Sequence, residues 1–323
     1  MKIKELKKER LLFSYNVFYH QHCPLDYLLE EAYALKKINI LTLGTGECCF
    51  FSSKQPFDSE AINWSYTLQD QELVFGNLNE LKNAFKLLNN HPYPTLVIIT
   101  CIPSMMNLDI ENLIQQYPKF ILIHAPCFKL IHSMDILSDF YDQIFKNCTL
   151  TIENKISLIE NKSYTYDDII SLLSSQTIIV QNIYFLKLLQ SLKKRYPITM
   201  IDNTRIQELS FYFKYKDLLS IDEKKLIFIQ KNLPKIDRTK KYAIQSKYAA
   251  SLAYFLSKYH IFVDKLYLPY YSDYIYQELK KLNPEVEIFF YSSIETNVLS
   301  LQESDAKKPI DALYQFIEVI ACH

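Results

Sequence analysis

Seven cysteines are the residues of this 323-residue chain that are best suited to bind a metal or a cluster. Cys23, Cys48 and Cys101 stand beside predicted strands and helices, and thiolates are the usual ligands of iron–sulfur clusters. No two cysteines have the CxxC spacing of zinc sites, and adjacent Cys48 and Cys49 are poorly placed to share one metal. Spacing alone therefore leaves two interpretations open: the cysteines bind a metal, or they only pack against other residues of the protein. The remaining four are interpreted as small buried hydrophobic residues: Cys49, Cys127, Cys148 and Cys322.

The elements that would position these cysteines alternate between strands and helices. Short β-branched runs alternate with apolar residues at three- and four-residue spacing, which is typical of parallel sheets built from βαβ units. The pattern predicts an α/β fold of two to three Rossmann-like units, with parallel sheets flanked by helices. The predicted strands are Asn39–Leu43, Thr95–Thr100, Phe120–His124, Thr177–Gln181, Ile198–Ile201, Tyr242–Gln245, Val263–Leu268 and Val286–Phe290. The predicted helices are Pro24–Lys36, Leu78–Leu88, Asp109–Gln116, Ile183–Arg195, Ser246–Tyr259 and Ser272–Leu282.

Two polar stretches divide the chain into three predicted domains. Polar residues cluster over Asn147–Tyr164, and Leu233–Lys241 combines Pro234, which stops a helix, with a charged run. We therefore expect Rossmann-like domains over residues 1–150 and 151–235 and a third, truncated one over 236–323.

The cysteines Cys23, Cys48 and Cys101 are expected to meet at one edge of the first sheet. Cys23 precedes Pro24, a residue that starts helices well. Cys48 lies in the turn after the first predicted strand, and Cys101 ends the second. Because ligands of open parallel sheets gather outside the carboxyl ends of the strands, these positions favour three thiols in one place.

Glycine is scarce, with only three in the chain: Gly44, Gly46 and Gly76. Average usage is near 7%, so the composition indicates that glycine persists where no other residue fits. We expect these three to occupy backbone positions with positive φ or with a close neighbour.

Composition excludes several classes of function. Lys+Arg and Asp+Glu are equal at 36 each, so no net charge favours nucleic acid or anionic lipid as a partner. No apolar run reaches the roughly 18 residues of a membrane span, and the charged N-terminus lacks the features of a secretory signal. The protein is therefore expected in the cytoplasm. Neither GxGxxG nor GxxxxGK[ST] occurs, which argues against nucleotide binding by this chain.

Motifs around the cysteines resemble the N-terminal segment of the nitrogenase component 1 oxidoreductase superfamily. Cys23-Pro24-Leu25 leads through a helix and a strand to Leu43-Gly44-Thr45-Gly46-Glu47-Cys48, and the two cysteines are 25 residues apart, similar to the spacing in the family. Val74-Phe75-Gly76 resembles the family's VFGG turn. Thr100-Cys101-Ile102-Pro103, followed by Asp109-Ile110-Glu111, resembles its third cluster cysteine and the next helix start. Pro126 and Phe128 sit where relatives carry a TPGF-like turn.

The resemblance implies an iron–sulfur cluster, of the 4Fe–4S or P-cluster type, bound by the first domain through Cys23, Cys48 and Cys101. It makes Gly44, Gly46 and Glu47 cofactor-binding residues and identifies no catalytic residue. Three cysteines leave a four-iron cluster one ligand short. The fourth would come from a partner subunit, which makes the cluster bridge an interface, from another residue, or from solvent.

The resemblance also implies partners. A separate ATP-dependent iron–sulfur reductase would deliver electrons, and this chain would pass them to a substrate or second cofactor. A second copy or a paralogous component 1 subunit would complete a dimer. The family's subunits are usually longer, and the cysteine and histidine that hold nitrogenase's second cofactor have no match here.

Two other interpretations stay open from the sequence. One is a non-catalytic cluster scaffold or structural partner subunit, and the other is a Rossmann-like protein whose cysteines bind no metal. His124 follows the third predicted strand and either faces a substrate cavity or is a histidine with its hydrogen bonds satisfied. The substrate cannot be read from the sequence.

Overall fold

The computed structural model describes residues 23–54, 61–106, 108–127, 133–245, 248–268, 287–290, 299–300 and 308–321. By their contacts they divide into two compact units, one within residues 21–178 and 182–200 and the other within 179–181 and 201–323. The three-domain division expected from the sequence is finer and stays a prediction. In the ranges that the structure describes, no helix is both long enough and apolar enough to cross a membrane.

The first unit is built on a parallel four-stranded sheet of order β2-β1-β3-β4. The strands are β1 (Asn39–Gly44), β2 (Asn63–Thr67), β3 (Thr95–Ile99) and β4 (Phe120–His124). The surrounding helices are α1 (Pro24–Leu35), α2 (Gly46–Lys54), α3 (Asp70–Phe75), α4 (Asn79–Asn89), α5 (Cys101–Met106), α6 (Ile110–Ile114) and α7 (Ser133–Phe145).

The chain continues through a three-stranded sheet of order β5-β6-β7. Its strands are β5 (Glu153–Ile159), β6 (Ser175–Val180) and β7 (Thr199–Asp202), with helices α8 (Tyr166–Leu173) and α9 (Leu186–Leu192) and a 3₁₀ turn at Ile183–Phe185.

The second unit contains a four-stranded parallel sheet of order β10-β9-β8-β11. Its helices are α10 (Leu209–Tyr215), α11 (Glu223–Asn232), α12 (Ala249–Ser257) and α13 (Pro309–Ala321), with a 3₁₀ turn at Leu233–Lys235. Its strands are β8 (Lys241–Gln245), β9 (Phe262–Leu268), β10 (Glu287–Phe290) and β11 (Leu299–Ser300).

Helices cover both faces of the first sheet, as the continuous apolar runs predict. Leu41, Leu43, Val97 and Ile99 point to one face and form one core cluster with Phe85 of α4. Residues of the opposite face, such as Ile40 and Ile98, are also fully buried. An α/β fold with parallel sheets between helices is therefore confirmed.

All eight predicted strands are present, with ends shifted by two residues or fewer. Three further strands, β2, β5 and β11, were not predicted. In the sheet orders they are end strands. β2 has no buried residue and β5 has only one, so neither has the continuous buried apolar run that marks a central strand. The predicted helix Ser272–Leu282 lies outside the described residues.

A buried tyrosine joins α1 to α7 and gives the first unit a pH-dependent contact. The hydroxyl of Tyr141, which is fully buried, donates a hydrogen bond to the Glu31 carboxylate. Burial raises the pKa of Glu31 above its ordinary value of 4.5, and the hydrogen bond from Tyr141 partly offsets that rise. The folded state therefore holds the Glu31 proton more tightly than the unfolded state does.

We expect Tyr141→Phe to lower the free energy of unfolding at pH 7 by about 1–3 kcal/mol, because the carboxylate loses a donor. With Glu31 unaltered, that free energy should fall as the pH rises from 4.5 through the raised pKa of Glu31, and the fall should extend to higher pH in Tyr141→Phe. Urea unfolding between pH 4 and 8 measures both effects. Glu31→Gln is the control, since it keeps an acceptor but removes this ionisation; the same pH slope in Glu31→Gln would contradict the assignment.

Candidate functional site

The candidate site is the cysteine edge, which we define as Cys23, Cys48, Cys101 and Cys127 at the carboxyl ends of the first sheet. Three neighbouring strands end there side by side, because Leu43 pairs with Ile99 and Ile99 pairs with His124. The strand order changes direction between β1 and β3, which is where open α/β sheets bind their ligands.

Cys23 lies at this edge because its helix begins there. It is the N-cap residue of α1, and Pro24 is the first helical residue, as the sequence predicts. Burial raises the pKa of the Cys23 thiol, the N–H of Leu25 lowers it through a hydrogen bond, and the charges of Asp26, Cys101 and Cys48 raise it further. Cys23 is therefore close enough to Cys48 and to Cys101 for their charges to act on it.

Cys48 is packed against the end of β1. The strand extends to Gly44 and α2 starts at Gly46, so Cys48 lies in the first turn of a helix and not in the predicted turn. A Cβ atom built at Gly44 would lie 3.0 Å from the Cβ of Cys48 and 2.5 Å from Oγ1 of Thr100. The Thr100 side chain is buried, and its hydroxyl has no hydrogen-bond partner among the described residues.

Cys101 and Cys127 are in direct contact. Their Sγ atoms are 2.9 Å apart, and the backbone N–H of Cys127 donates to Sγ of Cys101 over 3.2 Å. The hydrogen bond with Cys101 and partial burial raise the pKa of Cys127 to about 11, and the charges of Cys101 and Cys23 add to the rise. The interpretation of Cys127 as a buried hydrophobic residue is wrong, since it is exposed. It follows β4 as Cys101 follows β3, and that placement was the signal available in the sequence.

The predicted cofactor-binding residues differ in their surroundings. Gly44 has the close neighbours that exclude a side chain, and Gly76 has a φ of 67°. For Gly46 the expected steric reason is wrong, because a Cβ atom there would meet nothing within 4 Å. Glu47 is exposed in the first turn of α2. A cofactor role for Gly44, Gly46 and Glu47 stays a prediction.

The remaining cysteines face away from the edge or lie elsewhere. Cys49 is buried, and its thiol points at the carbonyl oxygens of Tyr66 and Thr42, 3.3 and 3.8 Å away. Cys148 is half-buried, and its pKa is raised by burial and lowered by Arg195. Cys322 lies outside the described residues.

His124 has partners on both ring nitrogens. Its Nε2 lies 3.0 Å from Oε1 of Glu111, and its Nδ1 lies 3.4 Å from Oγ of Ser104. The interpretation as a histidine with satisfied hydrogen bonds is therefore favoured over one that faces a substrate.

The cysteine edge fits the donor set of an iron–sulfur cluster better than that of a single ion. In the described part of the chain, no three His, Cys, Asp or Glu side chains converge on one point as a lone metal requires. A cluster needs no such convergence, because its irons are separate and each takes its own thiolate. Backbone N–H groups already donate to the sulfurs of Cys23 and Cys101, which is the kind of hydrogen bond that stabilises thiolate ligands.

Comparison with known proteins identifies the fold. No family model and no curated protein matches the sequence. The structure of nitrogenase Cp1 at pH 6.5 is similar with a TM-score of 0.50 and 13% identity, over 83% of this chain and 76% of that one. Nitrogenase Cp1 at pH 5 is similar with a TM-score of 0.50 and 14% identity, over 88% of this chain and 68% of that one. At such low identity the likeness is one of fold, so the chain has a nitrogenase component 1-like fold.

The packing around Gly44 gives a direct test of the site's geometry. Gly44→Ala should lower the free energy of unfolding by about 1–3 kcal/mol, because its Cβ would overlap Thr100 and crowd Cys48. Gly46→Ala is the matched control and should stabilise the protein by up to about 1 kcal/mol, since the site is helical and open. Thr100→Ala should partly rescue Gly44→Ala. Thermal unfolding of Gly44→Ala, Gly46→Ala, Thr100→Ala and the Gly44→Ala/Thr100→Ala double variant checks this, and equal effects at the two glycines would contradict the close approach.

Proposed function

We propose that this chain is the iron–sulfur subunit of a nitrogenase-like reductase. The proposal is supported by the positions of Cys48 and Cys101, just after neighbouring strands at the switch point of the first sheet. Cys23, at the start of α1, is close enough to both for their charges to act on it, and the chain has a nitrogenase component 1-like fold. An iron–sulfur cluster held there supplies one-electron transfer. The family resemblance supports an ATP-dependent iron–sulfur reductase as the source of electrons and a substrate or second cofactor as their destination.

The chain's own residues bind and surround such a cluster. Cys23, Cys48 and Cys101 would supply thiolates from the starts of three helices, and the N–H donors to Cys23 and Cys101 would tune the reduction potential. Gly44 has no side chain, so Thr100 and Cys48 can pack closely against the end of β1. The unpartnered Thr100 hydroxyl beside it is available as a hydrogen-bond donor to sulfur.

We expect the full chain, reconstituted anaerobically with ferrous iron and sulfide, to become brown and to retain both elements through gel filtration. Cys23→Ala, Cys48→Ala and Cys101→Ala should each lose most of the iron, because each removes a ligand. Cys148→Ala is the matched control and should bind iron as the unaltered chain does, since Cys148 is also half-buried but lies away from the edge. Iron and sulfide analysis measures the result. A colourless, iron-free chain after reconstitution would refute the proposal.

Apolar side chains on the helix that begins at Cys101 support a dimer interface beside the site. Ile102, Met105 and Met106 of α5 are exposed, Met105 by 64%. Large exposed apolar side chains grouped on one short helix are typical of a surface that a protein partner covers. We propose that a second copy of this chain or a paralogous component 1 subunit packs there.

Met105→Glu is expected to weaken dimerisation at least about tenfold, because a charge would be buried in the interface. Leu87→Glu is the control, since Leu87 is exposed to a similar extent, 61%, but lies on α4. Sedimentation velocity over a concentration series measures the monomer–dimer equilibrium. A monomeric unaltered chain, or equal dissociation in both variants, would argue against an interface at α5.

A second candidate function is a cluster-carrying partner subunit without a substrate site of its own. A hollow of about 650 Å³ lies along β4 and is lined by Lys119, Phe120, Lys146 and Cys148 among others. Lys119 and Phe120 are at the amino end of β4, opposite the cysteine edge. A substrate held in this hollow would lie away from the cysteine edge, as expected of a chain that carries a cluster for a partner subunit.

A further inference from the structure

We propose that Cys127 is the fourth thiolate ligand, so that one chain supplies every protein ligand of a four-iron cluster. The inference rests on the proposed function and deepens it. It replaces a ligand from a partner subunit or from solvent with a residue of the same chain.

The topology places Cys127 where a ligand is needed. β1, β3 and β4 are neighbours, and the residues at their ends are in register. Cys48, Cys101 and Cys127 follow these three strands in turn, while Cys23 reaches the same edge from the start of α1. One rule of placement, a cysteine just beyond the carboxyl end of a strand, therefore holds for all three neighbours.

The contacts of Cys127 are those of a member of the site and not of a core residue. Its sulfur lies 2.9 Å from that of Cys101, and its backbone N–H donates to Cys101. A cysteine that filled a gap in the core would be buried, whereas Cys127 is exposed and its side chain can turn towards a separate iron.

The other described cysteines do not fit this role. The thiol of Cys49 points at the backbone carbonyl oxygens of Thr42 in β1 and Tyr66 in β2. Cys148 lines the hollow along β4 and interacts with Arg195. Within the described ranges, Cys127 is thus the thiol beyond Cys23, Cys48 and Cys101 that lies at the edge. On binding, each S–H bond is replaced by an Fe–S bond and the proton passes to solvent.

The test compares Cys127→Ala with the unaltered chain and with Cys148→Ala, all as the full chain reconstituted with ferrous iron and sulfide. Readouts are iron per chain, the electron paramagnetic resonance spectrum of the reduced protein, and the rate of iron loss to a chelator. The unaltered chain and Cys148→Ala should hold about four irons. Cys127→Ala should show a changed spectrum and lose iron at least tenfold faster. Circular dichroism should be unchanged, because Cys127 is exposed.

Three outcomes would overturn the inference. In the first, Cys127→Ala matches the unaltered chain in all three readouts, which would mean that the cluster binds without Cys127 as a ligand. In the second, mass spectrometry of the cluster-loaded chain shows a Cys101–Cys127 disulfide, which assigns the contact to a bridge. In the third, the monomeric Met105→Glu chain loses its cluster with Cys127 intact, which assigns the fourth ligand to the interface. An iron-free unaltered chain is a different result, since it refutes the proposed function as well.

Discussion

The pairing of β1 with β3 is the constraint on which the rest of the site depends. Every residue of both strands is buried, so a shift of register by one residue would exchange the sheet's two packed faces. The register brings Leu43 beside Ile99 and then Gly44 beside Thr100. This register fixes the positions at which the chain leaves β1 and β3. Cys48 and Cys101 lie at the same edge of the sheet because the hydrophobic core, and not any interaction between the thiols, aligns the strands that precede them.

The electrostatics of the cysteine edge oppose ionisation of its thiols in the absence of a ligand. Burial and the charges of neighbouring thiols raise the pKa of Cys23, and Cys101 and burial raise that of Cys127 to about 11. Ionising several of these thiols together is therefore unfavourable unless positive charge is placed among them. The iron atoms of a cluster supply such charge, and the N–H donors to Cys23 and Cys101 assist. The arrangement suits a ligand that takes several thiolates at once.

The sequence predicts the central strands of each sheet well because burial on both faces demands apolar runs. Phe120–His124 is predicted to the residue. The sequence does not predict β2 (Asn63–Thr67), because an end strand needs no continuous apolar run. Side-chain direction is harder still to predict. Cys48 and Cys49 are adjacent in one helix, yet Cys49 turns to the backbone of β1 and β2 while Cys48 faces Gly44. Sequence spacing does not distinguish them, because the difference arises from how α2 packs on the sheet.

The likeness to nitrogenase Cp1 extends to the fold and does not by itself identify the residues that do chemistry. At 13% identity the backbone arrangement is shared, but the residues that bind a cofactor must be argued one at a time. Cys127 shows why, since the family resemblance covers its neighbours Pro126 and Phe128 and assigns the cysteine itself no role. A thiol at this position alters what the subunit interface has to provide. With a ligand from another chain, cluster binding and dimerisation are one equilibrium. With four thiolates in one chain they are separate, and a partner at the proposed α5 interface would dock beside a site that is already complete.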